Sequence, residues 1–223
     1  MEVTDVKDSI FILGDSYSTY EGYIPRGYAT YYGKETKWPA KLRDHTYTWW
    51  HRYLTDTDSH LVKNCSWSGT TICYTGYDGA DVKNTSFITR IQRLIDSGFF
   101  KENKVDTLFV FGGTNDSWAN APLGKLMFKD WTEKDLYYVL PAIGYLLNTL
   151  KNCFNNTKVI CILNSDEYKP EIKNGYIEAC THYGIDYIEI TDFDKLSGHP
   201  TELGMEQIEK QILKGMERIK KGE

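Results

Sequence analysis

The sequence predicts an α/β fold: a single three-layer α/β/α domain over residues 1–223, built on a doubly wound parallel sheet of about five strands. Three observations predict it. Short β-branched and aromatic runs recur along the chain, each closed by turn residues, and amphipathic helical patterns lie between them. Two connections that follow predicted strands are also longer than joining neighbouring elements requires.

The first strand is Ile10-Phe11-Ile12-Leu13 within residues 9–14, ended by Gly14. A weaker second run covers 60–64, and further strands are read at 105–111, 158–163 and 187–190. Helical periodicity covers 46–54, 87–95, 134–150, 171–183 and 203–220. The alternation implies βαβ units. Right-handed crossovers then place helices on both faces and bring every strand C-terminus to one edge, where a site should form. The long connections, 17–37 and 66–86, start at that edge. No repeat, low-complexity stretch or Pro/Gly/Ser-rich linker divides the chain.

Hydrophobic residues make up 41% and charged residues 26% of the 223, the balance of an ordinary globular chain. The net charge of -5 argues against nucleic acid or an anionic membrane as partner, because both need a basic surface. No apolar run reaches the roughly 20 residues that cross a bilayer, and the first ten residues lack the basic and apolar regions of a signal peptide. As it stands the chain reads as cytoplasmic, with export after removal of a signal as the alternative. Cys65, Cys73, Cys153, Cys161 and Cys180 form an odd set without a CxxC pair, so buried free thiols are expected rather than a disulfide framework or a metal site.

Four short segments carry the candidate chemistry. Gly14-Asp15-Ser16-Tyr17-Ser18 puts a hydroxyl just past the end of the first strand, where a nucleophile is exposed; by composition it is also an ordinary turn. Ser66-Trp67-Ser68-Gly69-Thr70 follows the second strand, with a glycine whose N–H can approach a ligand closely. Phe111-Gly112-Gly113-Thr114-Asn115-Asp116 ends the third and presents an amide, which alone reads as an Asx turn. Ser197-Gly198-His199-Pro200 sets an imidazole on a loop before the last helix. Neither GxxxxGK[ST] nor GxGxxG occurs, and the GxSxG elbow is absent too.

In this order, and all after predicted strands, the four segments resemble the blocks of the SGNH (GDSL-like) hydrolases, a serine esterase and acylhydrolase family with a flavodoxin-like sheet. Gly14-Asp15-Ser16-Tyr17-Ser18 matches the first block with tyrosine where leucine is usual, Gly69 the second, Gly113-Thr114-Asn115-Asp116 the third, and His199-Pro200 the last. The Gly-Gly-Thr-Asn-Asp-Ser-Trp string and Gly-His-Pro-Thr-Glu-Leu-Gly-Met are similar to a bacterial subgroup.

The resemblance implies acyl transfer to water with Ser16 as nucleophile, His199 as base, and an oxyanion hole formed by the Ser16 N–H, the Gly69 N–H and the Asn115 amide, with no metal or organic cofactor. One position departs from the pattern. The aspartate usually found three residues before the histidine is Leu196 here. Asp194, then Asp192, is the nearest carboxylate that could orient the ring, and a backbone carbonyl could do so instead.

Tyr17, Tyr20, Tyr23, Tyr28, Tyr31, Tyr32 and Trp38 crowd the first long connection, offering flat faces to a sugar or packing that loop onto the domain. Tyr17, Trp67 and Trp118 are the candidate substrate contacts, and an ester on a small molecule or carbohydrate, such as an O-acylated sugar, is the expected substrate. Two competing readings are a non-catalytic glycan-binding or scaffold protein that keeps the fold and a flavodoxin-like nucleotide binder. Asp15 disfavours the latter by repelling phosphate.

Overall fold

The computed structural model describes residues 7–222. Five parallel strands, β1 (Ser9–Gly14), β2 (His60–Ser66), β3 (Thr107–Phe111), β4 (Lys158–Asn164) and β5 (Asp186–Ile190), form one sheet in the order β2-β1-β3-β4-β5. β1 lies beside β2 and β3, with Gly14 opposite Ser66 and Phe111, so the first three sequence blocks leave the sheet at one edge. The central strands are buried along their whole length, as a sheet covered on both faces requires.

Side-chain alternation divides the core. Ile10, Ile12, Phe109, Phe111, Ile160, Ile162 and Ile188 face one cluster, with Trp49, Trp50 and Tyr53 from α1 (Trp49–Asp56) and Ile208 and Ile212 from α7 (Glu202–Lys221). Phe11, Leu13, Leu108, Val110, Cys161 and Leu163 face the other. That face is covered by α2 (Phe87–Asp96), α5 (Val139–Cys153) and α6 (Pro170–Tyr183). Each such aromatic or aliphatic side chain contributes about 1.5–3 kcal/mol when taken out of water. This is the expected three-layer, doubly wound fold. Cys65, Cys73, Cys161 and Cys180 are buried free thiols, and Cys153 is an exposed one.

Several elements differ from the periodicity. The helix expected over 134–150 is broken: Thr132 and Asp135 close a capping box on a short 3-10 turn, Glu133–Tyr137, and α5 starts afresh at Val139. Pro141 fits the first turn of α5, where its missing N–H has no helical acceptor to lose. Two short helices, α3 (Phe99–Glu102) and α4 (Thr114–Trp118), carry too few residues to show a period. Beyond β5, β6 (Lys195–Leu196) and β7 (His199–Pro200) form a small antiparallel hairpin. Among the described residues no helix is long and apolar enough to cross a membrane.

Candidate active site

β1 ends at Gly14, and Asp15 caps the single 3-10 turn Ser16–Ser18 by accepting from the Tyr17 N–H at 3.1 Å. That turn throws the Ser16 side chain over the strand end. The β6–β7 hairpin supplies its partner. Ser197 and Gly198 both have positive φ, 53° and 79°, the two-residue type I′ geometry that suits the twist of a hairpin. His199 is therefore the first residue of the returning strand. Its Nε2 lies 3.1 Å from the Ser16 Oγ across 183 positions of sequence. Two tyrosines of the first long connection moor the hairpin, with the Tyr17 hydroxyl donating to the Gly198 carbonyl at 2.6 Å and that of Tyr32 to the Pro200 carbonyl at 2.9 Å.

The group that faces the far nitrogen of His199 is not a carboxylate. The His199 Nδ1 faces the carbonyl of Ser197 at 3.4 Å, and an N–H donated there leaves Nε2 free to accept. Asp194, the expected orienting acid, accepts instead from the hydroxyl of Thr201, which caps α7, while its own N–H donates to Gln207 at 2.7 Å. Asp192 donates its N–H to Asp166 and is exposed. The hairpin explains the change. Leu196 pairs across from His199 in register and is 48% exposed, so the backbone at Ser197 is left to meet the ring. Asp194→Asn is accordingly expected to keep kcat within about twofold of wild type, since a lost surface contact seldom exceeds half a kcal/mol. A drop of a hundredfold or more in steady-state kinetics would restore Asp194 to the site.

The Asn115 amide comes from the first turn of α4, on a chain that turns sharply at Gly112-Gly113. A side chain at position 112 would meet the Phe87 ring at 2.3 Å, which only glycine avoids. Asn115 is 3% exposed. Its Oδ1 accepts from the Tyr77 hydroxyl at 2.8 Å, and its Nδ2 has no acceptor among the described residues. The Tyr77 contact thus fixes which end of the amide faces the site. Gly69, at φ 73°, is exposed, and neither its N–H nor that of Ser16 donates to protein among the described residues. Tyr77→Phe should lower kcat about two- to tenfold, the worth of one hydrogen bond, with KM little changed. An unaltered kcat would show that the amide keeps its orientation without the phenol.

Buried charges brace these loops. The Asp116 carboxylate accepts from the Ile72 and Cys73 N–H groups at 2.9 to 3.1 Å, tying the chain after Gly69 to the start of α4. Arg90, almost wholly buried on α2, donates to the Cys65 carbonyl at 2.5 Å and to the Gly14 carbonyl and Thr70 hydroxyl at 3.1 Å each. Burial pushes Asp15 up to about 7, against the lowering pull of the Tyr17 N–H and Arg90, and pushes Asp116 up to about 6. His199 goes the other way. Burial lowers it to about 4, only partly opposed by the Ser197 carbonyl, so the ring is neutral at neutral pH.

The source of that burial is aromatic. The Tyr31 ring stacks on His199 at 3.8 Å and 27°, and Trp38 and Trp118 stand edge-on at 5.4 and 6.1 Å. Ser16 and His199 are 3% and 4% exposed. Tyr17, expected as a substrate contact, is instead fully buried, packed edge-on against Phe111 and Phe193. Trp118 is half-buried beside the dyad, with its indole N–H on Glu167 at 2.9 Å, and Trp67 pairs with Tyr28 at 5.1 Å. Tyr31, Trp38, Tyr77 and Arg90 were not among the expected site residues. Tyr31 and Trp38 belong to the aromatic cluster in the sequence; Tyr77 and Arg90 carry no local signal. Cavity size does not mark this site: a concavity of about 660 Å³ lies between the start of β5 and the last turns of α7, away from the dyad. Among the described residues no cluster of three or more His, Cys, Asp or Glu side chains is placed to hold a metal ion.

A five-strand doubly wound sheet with a serine and a histidine joined at its C-terminal edge defines a class, the α/β/α hydrolases with a strand-end serine. Within it, this chain belongs to the GDSL-like lipase/acylhydrolase family, which it matches over residues 8–216. A protein of Bacteroides ovatus described as a GDSL-like lipase is 41% identical, with a TM-score of 0.87 over 95% of this chain and 99% of that one. A second, from Bacteroides uniformis, is 39% identical, with a TM-score of 0.86 over 95% and 96%. A carbohydrate acetylesterase from Sinorhizobium meliloti, 13% identical, shares the fold at a TM-score of 0.60 over 96% and 100%. Among curated proteins no relative matches the chain.

Proposed function

We propose that this chain is a serine esterase that removes a small acyl group from an oxygen, with an O-acylated carbohydrate as the substrate class. The Ser16 Oγ attacks the ester carbonyl while its proton passes to the His199 Nε2, and the Ser197 carbonyl holds the imidazole by its Nδ1–H. Charge developing on the carbonyl oxygen is taken up by the N–H groups of Ser16 and Gly69 and by the Asn115 Nδ2. His199 then returns the proton to the departing alcohol, and a water activated by the same nitrogen releases the acid from Ser16. What supports this reading most directly is the 3.1 Å contact between Ser16 and His199 beside an amide whose donor end has no protein acceptor. The carbohydrate part rests on the aromatic surfaces at the mouth, Tyr28 with Trp67, the exposed Tyr77, and Trp118.

The test is labelling with a fluorophosphonate followed by peptide mass analysis, beside turnover of short acyl esters and acetylated sugars. Adduct on Ser16 and hydrolysis of the acetyl esters are expected. Label elsewhere, or none together with no turnover, would overturn the proposal.

The pH profile follows from the lowered His199. A base works only when neutral, so activity is present above the folded-state pKa and lost as pH falls through it. With that pKa near 4 rather than the usual 6.5, the acid limb of kcat/KM that belongs to His199 should fall near pH 4 to 5. An acid limb at 6.5 in the kcat/KM profile that persists in Asp15→Asn would mean a solvated histidine, since Asp15 is itself pushed up to about 7.

A further inference from the structure

Along the β2 edge of the sheet lies a cavity of about 460 Å³, walled by the loop at Tyr23 and Ile24, the strand edge Lys63–Cys65, Trp67, and Arg90, Arg93 and Leu94 of α2. Its charge is one-sided. Lys63, Arg90 and Arg93 line it and no carboxylate does, although the chain as a whole carries -5. None of the nine ion pairs formed among the described residues uses any of the three. The walls also hold unspent hydrogen-bonding capacity: the Nε of the buried Arg90 and the buried Oδ1 of Asn64 have no partner among the described residues. A buried guanidinium donor left unpaired is costly unless something anionic or polar reaches it.

The cavity adjoins the proposed chemistry through its own walls. Asn64 donates to the Ser18 carbonyl at 2.7 Å, the Trp67 N–H to the Gly14 carbonyl at 3.2 Å, and Arg90 to Gly14 and Thr70. The residues that shape it therefore hold the two segments carrying Ser16 and Gly69. Trp67, whose ring packs with Tyr28 and lies 5.1 Å from the Arg90 guanidinium, and Tyr23 add aromatic surface of the kind that meets a sugar ring.

We propose that this cavity is a subsite for a carboxylated sugar unit, a uronic acid, of the acylated carbohydrate, with Lys63 and Arg93 taking the carboxylate and Trp67 the ring. Arg93 already donates from its two terminal nitrogens to the Asn84 carbonyl and Oδ1, at 2.9 and 3.3 Å, so its remaining N–H groups and the Lys63 ammonium are what would take the carboxylate. The assignment rests on the esterase reading for its place in catalysis, but binding can be read without turnover. Glucuronate, glucose and glucose 6-phosphate are titrated separately into the full chain, wild type, Lys63→Gln and Arg93→Gln, and followed by chemical shifts of the Trp67 indole. Saturable binding of glucuronate, at least about tenfold tighter than glucose and weakened by a similar factor in each variant, is expected. Glucuronate and glucose binding alike, or variants matching wild type, would overturn the subsite; so would glucose 6-phosphate binding in preference to glucuronate. Both substituted side chains are exposed, and circular dichroism of the variants checks the fold. The second arm compares kcat/KM on acetylated glucuronate and acetylated glucose, a ratio expected to fall about tenfold in Arg93→Gln. If the chain turns over neither ester, the esterase reading fails while the titration still decides the subsite.

Discussion

Ser16→Ala should lower kcat for any ester the chain turns over by at least about 10⁴-fold and leave KM within a few-fold of wild type. The expected size follows from the unit action of a nucleophile and its base: once the attacking oxygen is gone, only the oxyanion donors and substrate positioning remain. The His199 ring keeps its Ser197 carbonyl and its aromatic packing without the hydroxyl, so the fold should hold. Active-site titration with a chromogenic acetate, run beside steady-state kinetics, separates the cases. A burst equal to the enzyme concentration in wild type and none in the variant is expected. Hydrolysis persisting in Ser16→Ala at more than about a hundredth of the wild-type rate would assign the chemistry to another group.

The second large effect is expected at Asn115. Its Nδ2 is a buried donor with no acceptor among the described residues, so it is oriented before any substrate arrives. A donor arranged in this way acts mainly on charge that develops during reaction, and its loss typically costs about 3 to 4 kcal/mol. Asn115→Ala should thus reduce kcat by about 100- to 1,000-fold. KM should change little. The substitution also frees the hydroxyl of Tyr77, a residue 41% exposed, to turn to water. Tyr77 itself is pushed up to about 12 by burial, with Asp15 and Tyr31 adding to the rise, so it stays a donor across the working range. Tyr77→Phe made in the Asn115→Ala background should have almost no further effect. A full second loss there would mean that Tyr77 acts on substrate and not through the amide.

Much of this was legible in the sequence because the sheet announces itself locally. Ile10-Phe11-Ile12-Leu13 and Leu108-Phe109-Val110-Phe111 are buried on both faces, so they read as unbroken apolar runs, and the breaks after them fall where the site lies. Gly69, Asn115 and His199 were legible by position, each just beyond a strand or before the last helix. The orienting group was not. Whether Asp194 or a carbonyl reaches the ring depends on the two positive φ angles of Ser197 and Gly198, which a string of residues in a turn does not specify. Arg90 was hidden for a different reason: a lone arginine on a helix looks like a solvated face until the loops it holds have folded over it. Tyr17 misled because burial, and not residue type, separates a sugar platform from a packing residue.

The Tyr31 ring lying flat on His199 has a bearing on affinity as well as on basicity. In this arrangement the phenol covers one face of the imidazole, and Ser16 and His199 are both almost wholly buried, so an ester whose path to Ser16 crosses that face has to displace the ring. For such an ester the apparent dissociation constant is its intrinsic value divided by the fraction of molecules in which the ring is displaced. A ligand ring that takes over the stack recovers part of that penalty, whereas a small aliphatic ester recovers none of it. On the proposed esterase reading, an internal competitor of this kind would favour ring-bearing alcohols, because only a comparable surface replaces it.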